Sequence, residues 1–169
     1  MIETDRLLLR PARLADVPAI FTFLGDPAAM RHTHVDATLA ACRRRVAVHE
    51  WRRRVDGYAP WTVIAKENGR IIGWGGLYDD PFDPGWGCEV GYFFHPDAWG
   101  RGYASELVRA ALREADTRHG LAEVRAFAHP DNGGSRRVLE KAGFRTVRFV
   151  PEMDRFLFSR ARHGREIAA

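Results

Sequence analysis

The sequence has few cysteines and no long apolar run, and both absences narrow the class of protein. Only Cys42 and Cys88 occur among 169 residues, and their spacing fits neither a disulfide framework nor a metal motif. No apolar run approaches the ~20 residues that a membrane-spanning helix needs. The first residues include acidic side chains and lack the apolar core of a signal peptide. These absences predict a cytoplasmic protein with reduced thiols, no bound metal and no membrane association.

The chain also lacks internal repeats, low-complexity segments and any linker rich in proline, glycine and serine. Its balance of 46% hydrophobic and 28% charged residues is typical of one globular domain, which we expect to span residues 1–169. The net charge of +4 favours an anionic partner, which could be nucleic acid, an acidic protein or a phosphorylated cofactor. Two "RRR" runs, at 43–45 and 52–54, fall on one predicted helix, where a solvated face is the simpler explanation.

Hydrophobic periodicity predicts helices and strands in mixed order. A helix is expected after Asp16, which would cap it, and a second helix at roughly residues 38–55 with Leu39, Cys42 and Val46 facing inward. The "NG" pair between "WTVIAKE" and "RIIGWGGLY" predicts a two-residue hairpin turn. The full order is β-α-α-β-β-β-α-β-α-β-β. We therefore expect an α/β (α+β) fold, with a mixed central sheet of about seven strands and helices on both faces.

The segment "HPDAWGRGYASEL" follows the strand-like run "CEVGYFF" and places Gly100 and Gly102 directly before a helix. The first N–H groups of a helix lack intrahelical partners and attract phosphate, and glycine lets a ligand approach the backbone. Arg101 adds positive charge. The P-loop pattern is absent, and so is G-x-G-x-x-G, because position 105 is serine. The segment predicts either a diphosphate cradle or a tight strand-to-helix turn.

Four segments carry a resemblance to a known family: "TDRLLLRPARLAD", "EVGYFFHPDAWGRGYASELV", "NGGSRRVLEKAGFR" and "DRFLFSR". Their order and motifs resemble the GNAT superfamily of acyl-CoA-dependent N-acetyltransferases, in particular its RimJ/RimL-like branch, over nearly the whole chain. The resemblance implies a GNAT fold that transfers the acetyl group of acetyl-CoA directly, in a ternary complex. The implied acceptor is a primary amine, on a protein N-terminus or on a small molecule. A monomer or homodimer is expected.

The family's cofactor signature, [Q/R]-x-x-G-x-[G/A], occurs here with tryptophan in place of the usual first residue. It falls on Trp99, Gly100, Arg101, Gly102, Tyr103 and Ala104. The resemblance implies that backbone N–H groups of this loop hold the pyrophosphate of coenzyme A. Tyr103 is expected to pack beside the cofactor, with a role as proton donor as the alternative. The resemblance also implies that the strand ending at Phe94 pairs with the pantetheine arm. Asn132 would bond the pantetheine amides or the acceptor, although a plain turn or N-cap role is the alternative.

Glu89 is the candidate general base. A carboxylate within "GWGCEVGYFF" is unexpected if both sheet faces are covered, and burial would raise its pKa toward a useful value. The resemblance points to a glutamate on this strand as well. A base matters because an α-amine has a pKa of about 7.7–8.0 and a lysine one of about 10.4, so most acceptor amines are protonated at neutral pH. An edge-exposed or ion-paired glutamate is the alternative.

Ser135 is the candidate for the leaving-group side. The superfamily pattern N-x-x-A-x-x-x-Y-x-K-x-G-F would place its acid tyrosine at Leu139, which cannot donate a proton. Ser135 lies four residues earlier, on the same helix face. Resemblance to the Rim-type branch implies that Ser135 stabilises or protonates the departing thiolate. A hydroxyl is a poor acid for a thiol with a pKa of about 8.5, so a stabilising hydrogen bond is favoured, with helix capping as the alternative. Cys42 and Cys88 are poor nucleophile candidates, which disfavours a ping-pong route.

Two other classes of function stay open from the sequence. One is a sensor or partner module that keeps the glycine loop and binds coenzyme A without turnover, and it would need neither Glu89 nor Ser135. The other is a basic domain associated with RNA or the ribosome, whose binding would weaken steeply with salt. We expect no specific nucleic-acid binding.

Overall fold

In the computed structural model, which describes residues 1–162, one mixed sheet of eight strands is covered by four helices. The strands are β1 (Ile2–Glu3), β2 (Leu7–Pro11), β3 (Trp61–Ala65), β4 (Ile71–Asp79), β5 (Cys88–Phe94), β6 (Glu123–Ala128), β7 (Arg145–Val150) and β8 (Arg155–Ala161). The helices are α1 (Val17–Leu24), α2 (Leu39–Asp56), α3 (Tyr103–Thr117) and α4 (Gly133–Lys141). Residues 163–169 of the predicted domain lie outside the described part.

The sheet has the order β1-β2-β3-β4-β5-β6-β8-β7, and its neighbours are antiparallel except for β5 and β6. That parallel pair is connected by α3, as a parallel pair requires a crossover. Helices α1 and α2 pack on one face of the sheet, and α3 and α4 pack on the other. The predicted mixed sheet with helices on both faces is confirmed, and the two-residue β1 is the strand that the sequence did not indicate.

Two local predictions are wrong, and each has a physical reason. The Asp16 carboxylate does not cap α1, whose second residue, Pro18, has no N–H to offer. It instead accepts bonds from the Arg10 guanidinium, the Arg13 N–H and the Thr62 hydroxyl. The "NG" hairpin is longer than two residues: the turn spans residues 66–70, and β3 carries an irregularity in its pairing at Val63/Ile64.

Helix α2 begins and ends close to the predicted bounds. Thr38 caps it by accepting a bond from the Ala41 N–H at 3.1 Å, and Gly57 ends it in the left-handed conformation. Cys42 and Val46 are buried as predicted, but Leu39, the first helical residue, is exposed. The helix therefore contributes its apolar residues to the smaller of two cores, which it forms with α1.

The N-terminal strands are held to α3 by one buried carboxylate, that of Glu106. It accepts hydrogen bonds from the Thr4 hydroxyl at 2.5 Å, the Arg6 N–H at 2.8 Å and the Arg6 Nε at 2.8 Å. Burial alone would raise its pKa, but these bonds outweigh burial and hold the pKa below the ordinary value of 4.5. Because α3 begins at the glycine loop, this contact also fixes the position of that loop.

We expect Glu106→Ala to lower the free energy of unfolding by about 2–3 kcal/mol at pH 7, since it removes charge-assisted bonds and leaves buried donors. A carboxyl with a depressed pKa stabilises the fold above its unfolded pKa. The contribution should therefore be lost as pH falls below 4.5 through the folded pKa. Urea unfolding at pH 7 and at acidic pH measures both effects.

Glu3→Ala is the matched control, because Glu3 makes an exposed ion pair with Lys66 and should contribute about 0–1 kcal/mol. Equal losses in the two variants would contradict the structural role of Glu106.

Candidate active site

The site is built around the place where β5 and β6 separate. Within the described chain these parallel strands pair at one position, Glu89 opposite Arg125. Beyond it the β6-facing edge of β5 continues to Phe94 with no strand of residues 1–162 beside it. A cavity of about 700 Å³ opens there, lined by the end of β5, the glycine loop, the first turns of α3 and α4, and residues 29–33. An extended ligand could pair with this free strand edge.

The glycine loop needs its glycines for conformation and also leaves space. Gly100 and Gly102 have φ angles of 71° and 79°, a left-handed backbone that other residues adopt only with strain. A Cβ at Gly100 would meet nothing within 4 Å. The first bond of α3 runs from the Glu106 N–H to the Gly102 carbonyl at 3.2 Å, so the N–H groups of residues 103–105 have no partner in the helix. Both explanations drawn from the sequence therefore apply to this segment.

Two aromatic residues fasten the loop to the end of β5. The Trp99 indole Nε1 donates to the Phe94 carbonyl at 3.0 Å, while its ring lines the cavity. Tyr103 is buried, and its ring stacks on the Phe94 ring at 6.5 Å between centroids. The guanidinium groups of Arg6 and Arg101 lie 4.7 and 5.0 Å from the Tyr103 ring. Ala104 also lines the cavity.

The positive charge at the cavity comes from residues other than the one that the sequence suggested. The Arg101 guanidinium bonds the Glu67 carboxylate at 2.9 and 3.1 Å and is absent from the cavity wall. Arg137 and Lys141, one turn apart on α4, line the cavity together with Arg31. Sequence reasoning missed these cations, although the spacing of Arg137 and Lys141 places them on one helix face.

Glu89 lies where β5 and β6 separate, and its residue surface is 4% exposed. Burial, reinforced by the negative charge of Asp80, raises the pKa of its carboxyl to about 8, although a hydrogen bond with Tyr78 acts in the opposite direction. Tyr78 is the β4 residue opposite Glu89, and Gly91 makes room for it, since a Cβ there would come within 2.8 Å of the Tyr78 hydroxyl. No cation of residues 1–162 forms an ion pair with Glu89. The carboxyl is therefore buried rather than exposed, and no ion pair among residues 1–162 accounts for it.

Asn132 and Ser135 lie together at the start of α4. Asn132 caps the helix, since its Oδ1 accepts a bond from the Ser135 N–H at 3.1 Å. Ser135 is thus the capped residue and not the cap. Its Oγ lies 2.8 Å from the hydroxyl of Tyr92 on β5, and burial raises the Tyr92 pKa to about 12. Leu139, at the position of the superfamily tyrosine, is buried in the core.

Glu89 and Ser135 both line a second cavity, of about 110 Å³. It adjoins the larger cavity through shared wall residues that include Tyr92, Asn132 and Ser135. Sequence reasoning missed Tyr92, because the expected tyrosine was sought on α4. The available signal was local: Tyr92 follows Glu89 by three residues and so points to the other face of the same strand.

Among residues 1–162, no helix is long and apolar enough to cross a membrane. The same residues contain no group of three or more His, Cys, Asp or Glu side chains placed to hold a metal ion.

Comparison with known proteins gives the family. The family described as "Acetyltransferase (GNAT) domain" matches residues 6–145. The chain is 29% identical to the Bacillus subtilis uncharacterized protein YkkB over 84% of this chain and 83% of that protein. It is 25% identical to the B. subtilis uncharacterized N-acetyltransferase YoaA, over 85% and 82% of the two chains.

Three solved structures share the fold. A GNAT-family acetyltransferase from Bordetella pertussis superposes with a TM-score of 0.82 at 26% identity, covering 95% of this chain and 98% of that one. A ribosomal-protein-S5-alanine acetyltransferase from Vibrio fischeri superposes with a TM-score of 0.77 at 18% identity, covering 96% of this chain and 97% of that one. The Salmonella typhimurium acetyltransferase yncA was solved with its cofactor acetyl-CoA. It superposes with a TM-score of 0.73 at 22% identity, covering 95% of this chain and 96% of that one. The chain belongs to the GNAT family, and it is an acetyl-CoA-dependent acetyltransferase.

Proposed function

We propose that this acetyltransferase acetylates a primary amine by direct transfer in a ternary complex, with Glu89 as general base and Ser135 on the leaving-group side. One observation carries the proposal. A buried carboxyl of raised pKa and a hydroxyl pair line the same small cavity, and that cavity adjoins the glycine loop. A nucleophile–base arrangement and a leaving-group donor are the two elements that acyl transfer requires.

The residues around the larger cavity fit coenzyme A. Unpartnered N–H groups at the start of α3 suit a pyrophosphate, and the free edge of β5 up to Phe94 suits the amide groups of pantetheine. Arg137 and Lys141 supply positive charge at the wall. The loop would contact the cofactor through Trp99, Gly100, Gly102, Tyr103 and Ala104. Arg101 would remain bonded to the Glu67 carboxylate. When bound, acetyl-CoA supplies the acetyl group as a thioester.

Glu89 would take the proton of the acceptor amine. With a pKa of about 8, roughly a tenth of the carboxyls are ionised at pH 7, and the ionised fraction rises with pH. A base of that pKa is better matched to an ammonium group than an ordinary carboxylate with a pKa near 4.3. The charge of Asp80 raises the pKa of Glu89, and a hydrogen bond with Tyr78 lowers it.

Ser135 and Tyr92 would hold hydrogen-bond donors opposite Glu89. The Tyr92 pKa of about 12 keeps its hydroxyl protonated throughout the physiological range. The Tyr92 hydroxyl can donate to the Ser135 Oγ at 2.8 Å or to the Ser135 carbonyl at 3.2 Å. When it donates to Oγ, the Ser135 hydroxyl can donate into the cavity. Neither is a strong acid relative to a thiol, so the expected role is stabilisation of negative charge on sulfur. Asn132 supports this pair by capping α4.

The RimJ/RimL-like assignment and a cytoplasmic location belong to the same proposal. Tryptophan at position 99 and serine at position 135 support the branch. The acceptor is then a protein N-terminal amine or a small-molecule amine. The basic-domain alternative is disfavoured by the pairing of half of the arginines in the two "RRR" runs. The ion pairs are Arg45 with Asp36, Arg52 with Asp56, and Arg53 with Glu50.

We expect Gly102→Val to abolish the thermal stabilisation that acetyl-CoA confers on the wild-type protein. The branched side chain would obstruct the loop and strain a backbone with φ of 79°. Gly120→Val is the matched control, since Gly120 also has a positive φ, of 60°, but lies beyond the far end of α3. Both variants should lose stability, and only Gly102→Val should lose the cofactor shift. A retained shift in Gly102→Val would refute the cradle.

We expect the wild-type kcat to rise with pH and to level off above about 8, as Glu89 ionises. For an acceptor with an amine pKa near 10, Glu89→Gln should be about 10²–10³-fold slower at pH 7. Its rate should keep rising past pH 9, because alkali supplies the neutral amine. A pH–rate profile at saturating acetyl-CoA measures this.

Glu114→Gln, on α3, is the control for the profile and should retain the wild-type curve. Unchanged turnover in Glu89→Gln at pH 7 would remove the base assignment. Cofactor stabilisation without coenzyme release from any amine would instead support the sensor alternative.

We expect Ser135→Ala to lower kcat by about 10²–10³-fold across the whole pH range, because thiolate stabilisation does not depend on the protonation of the amine. If Ser135 and Tyr92 act as one unit, the double variant with Tyr92→Phe should be scarcely slower than Ser135→Ala alone. Ser159→Ala, on β8, serves as the control. Additive losses in the double variant would show that the two hydroxyls act separately.

A further inference from the structure

A third cavity, of about 100 Å³, continues the one that contains Glu89. The two share the wall residues Thr33, Tyr78, Asp80, Phe93 and Arg155. Together they form an acceptor pocket that runs from Glu89 to the side chains of His49 and Trp74 on the α1/α2 side of the sheet. Both cavities are several times smaller than the cofactor cavity, which favours a small acceptor.

Arg155, the first residue of β8, lines both parts of this pocket. No carboxylate of residues 1–162 lies within 4.0 Å of its guanidinium. The other arginine of the pocket, Arg45, is already paired with the buried Asp36 at 3.0 Å. A half-buried guanidinium with no carboxylate partner is well suited to bind an anionic ligand group in a bidentate manner.

Two buried polar groups at the inner end of the pocket also lack partners. Among the described residues, neither the Trp74 indole Nε1 nor the His49 Nδ1 has a hydrogen bond, and both side chains line the third cavity. Leaving a buried donor unsatisfied is unfavourable, and each such group calls for an explanation. Both atoms are buried behind the cavity surface, so they make the inner wall of the pocket polar without contacting its contents directly.

Two carboxyl groups line the part of the pocket nearer the glycine loop, and one of them, Asp80, belongs like Arg155 to the wall that both cavities share. Glu89 lies in the second cavity, and Asp80 lines both parts. Asp80 is close enough for its charge to raise the pKa of Glu89. An ammonium group is therefore attracted to this part of the pocket, next to the base that would deprotonate it.

We propose that the acceptor is a free amino acid or a similarly small molecule that carries both a primary amine and a carboxylate. Its ammonium group binds at Asp80 and Glu89. Its carboxylate binds the Arg155 guanidinium. This inference rests on the proposed function for the use of Glu89, and it selects the small-molecule class over a protein N-terminus, whose first residue has its α-carboxyl group in a peptide bond.

The test compares three acceptors that share one side chain: an amino acid, its amide and the corresponding decarboxylated amine. We expect the amino acid to have a kcat/KM about 10- to 100-fold above the other two, as one charge-assisted contact provides. The amide imitates a peptide N-terminus and has the lower amine pKa, so the supply of neutral amine works against the expected result. The Arg155→Gln variant should lose the preference, while Arg145→Gln, at an exposed position on β7, should keep it.

Ligand binding gives a second readout that does not depend on turnover. The amino acid, with and without acetyl-CoA, should raise the melting temperature of the wild-type protein and of Arg145→Gln, but not that of Arg155→Gln. Preference for the amide, or equal turnover of all three acceptors, would overturn this inference and leave the proposed function intact. Carboxylate-dependent stabilisation without turnover would support the pocket and overturn the proposed function. Absence of both turnover and carboxylate-dependent stabilisation would overturn this inference and the proposed function together.

Discussion

The separation of β5 from β6 after a single paired position is the constraint on which the rest of the site depends. Every backbone N–H and C=O needs a partner, and most strands of this sheet obtain theirs from neighbours. Along β5, one edge is paired with β4 while the other is free beyond Glu89. The free edge ends at Phe94, whose carbonyl receives the Trp99 indole and so joins the strand to the glycine loop. One gap in the sheet thus links the strand, the loop and the start of α3.

The same gap lets groups from opposite faces of the sheet meet. Successive side chains of a strand alternate between faces, so Glu89 and Tyr92 point to different sides of β5. In an unbroken sheet the backbone would separate them. Here Ser135, which contacts Tyr92 from the α3/α4 side, lines a common cavity with Glu89. A buried carboxyl and a pair of hydroxyl hydrogen-bond donors therefore border the same cavity, as the proposed transfer requires.

Local patterns predicted the elements, whereas contacts between distant residues decided the details. The 3.6-residue and two-residue periodicities were enough for the helices and the mixed sheet, and the glycine loop could be recognised from a short motif. Arg101 is an example of a detail that local sequence did not predict. Its neighbours in sequence suggest a phosphate contact, but its guanidinium bonds the Glu67 carboxylate, 34 residues away. Arg155 could not be connected with Glu89 from sequence, because β8 reaches the pocket only through the order of strands in the sheet.

The two buried glutamates, Glu106 and Glu89, change the stability of the fold with pH in opposite directions. Glu106 has a lowered pKa, so it stabilises the fold above pH 4.5 and loses that effect in acid. Glu89 has a pKa raised from 4.5 to about 8, so the folded state binds more protons than the unfolded state between these values. Stability therefore falls as pH rises through this range and levels off above it. A position that served packing alone would be more stable with an apolar residue, and a buried carboxyl without an ion-pair partner among residues 1–162 fits the proposed role of Glu89 as base.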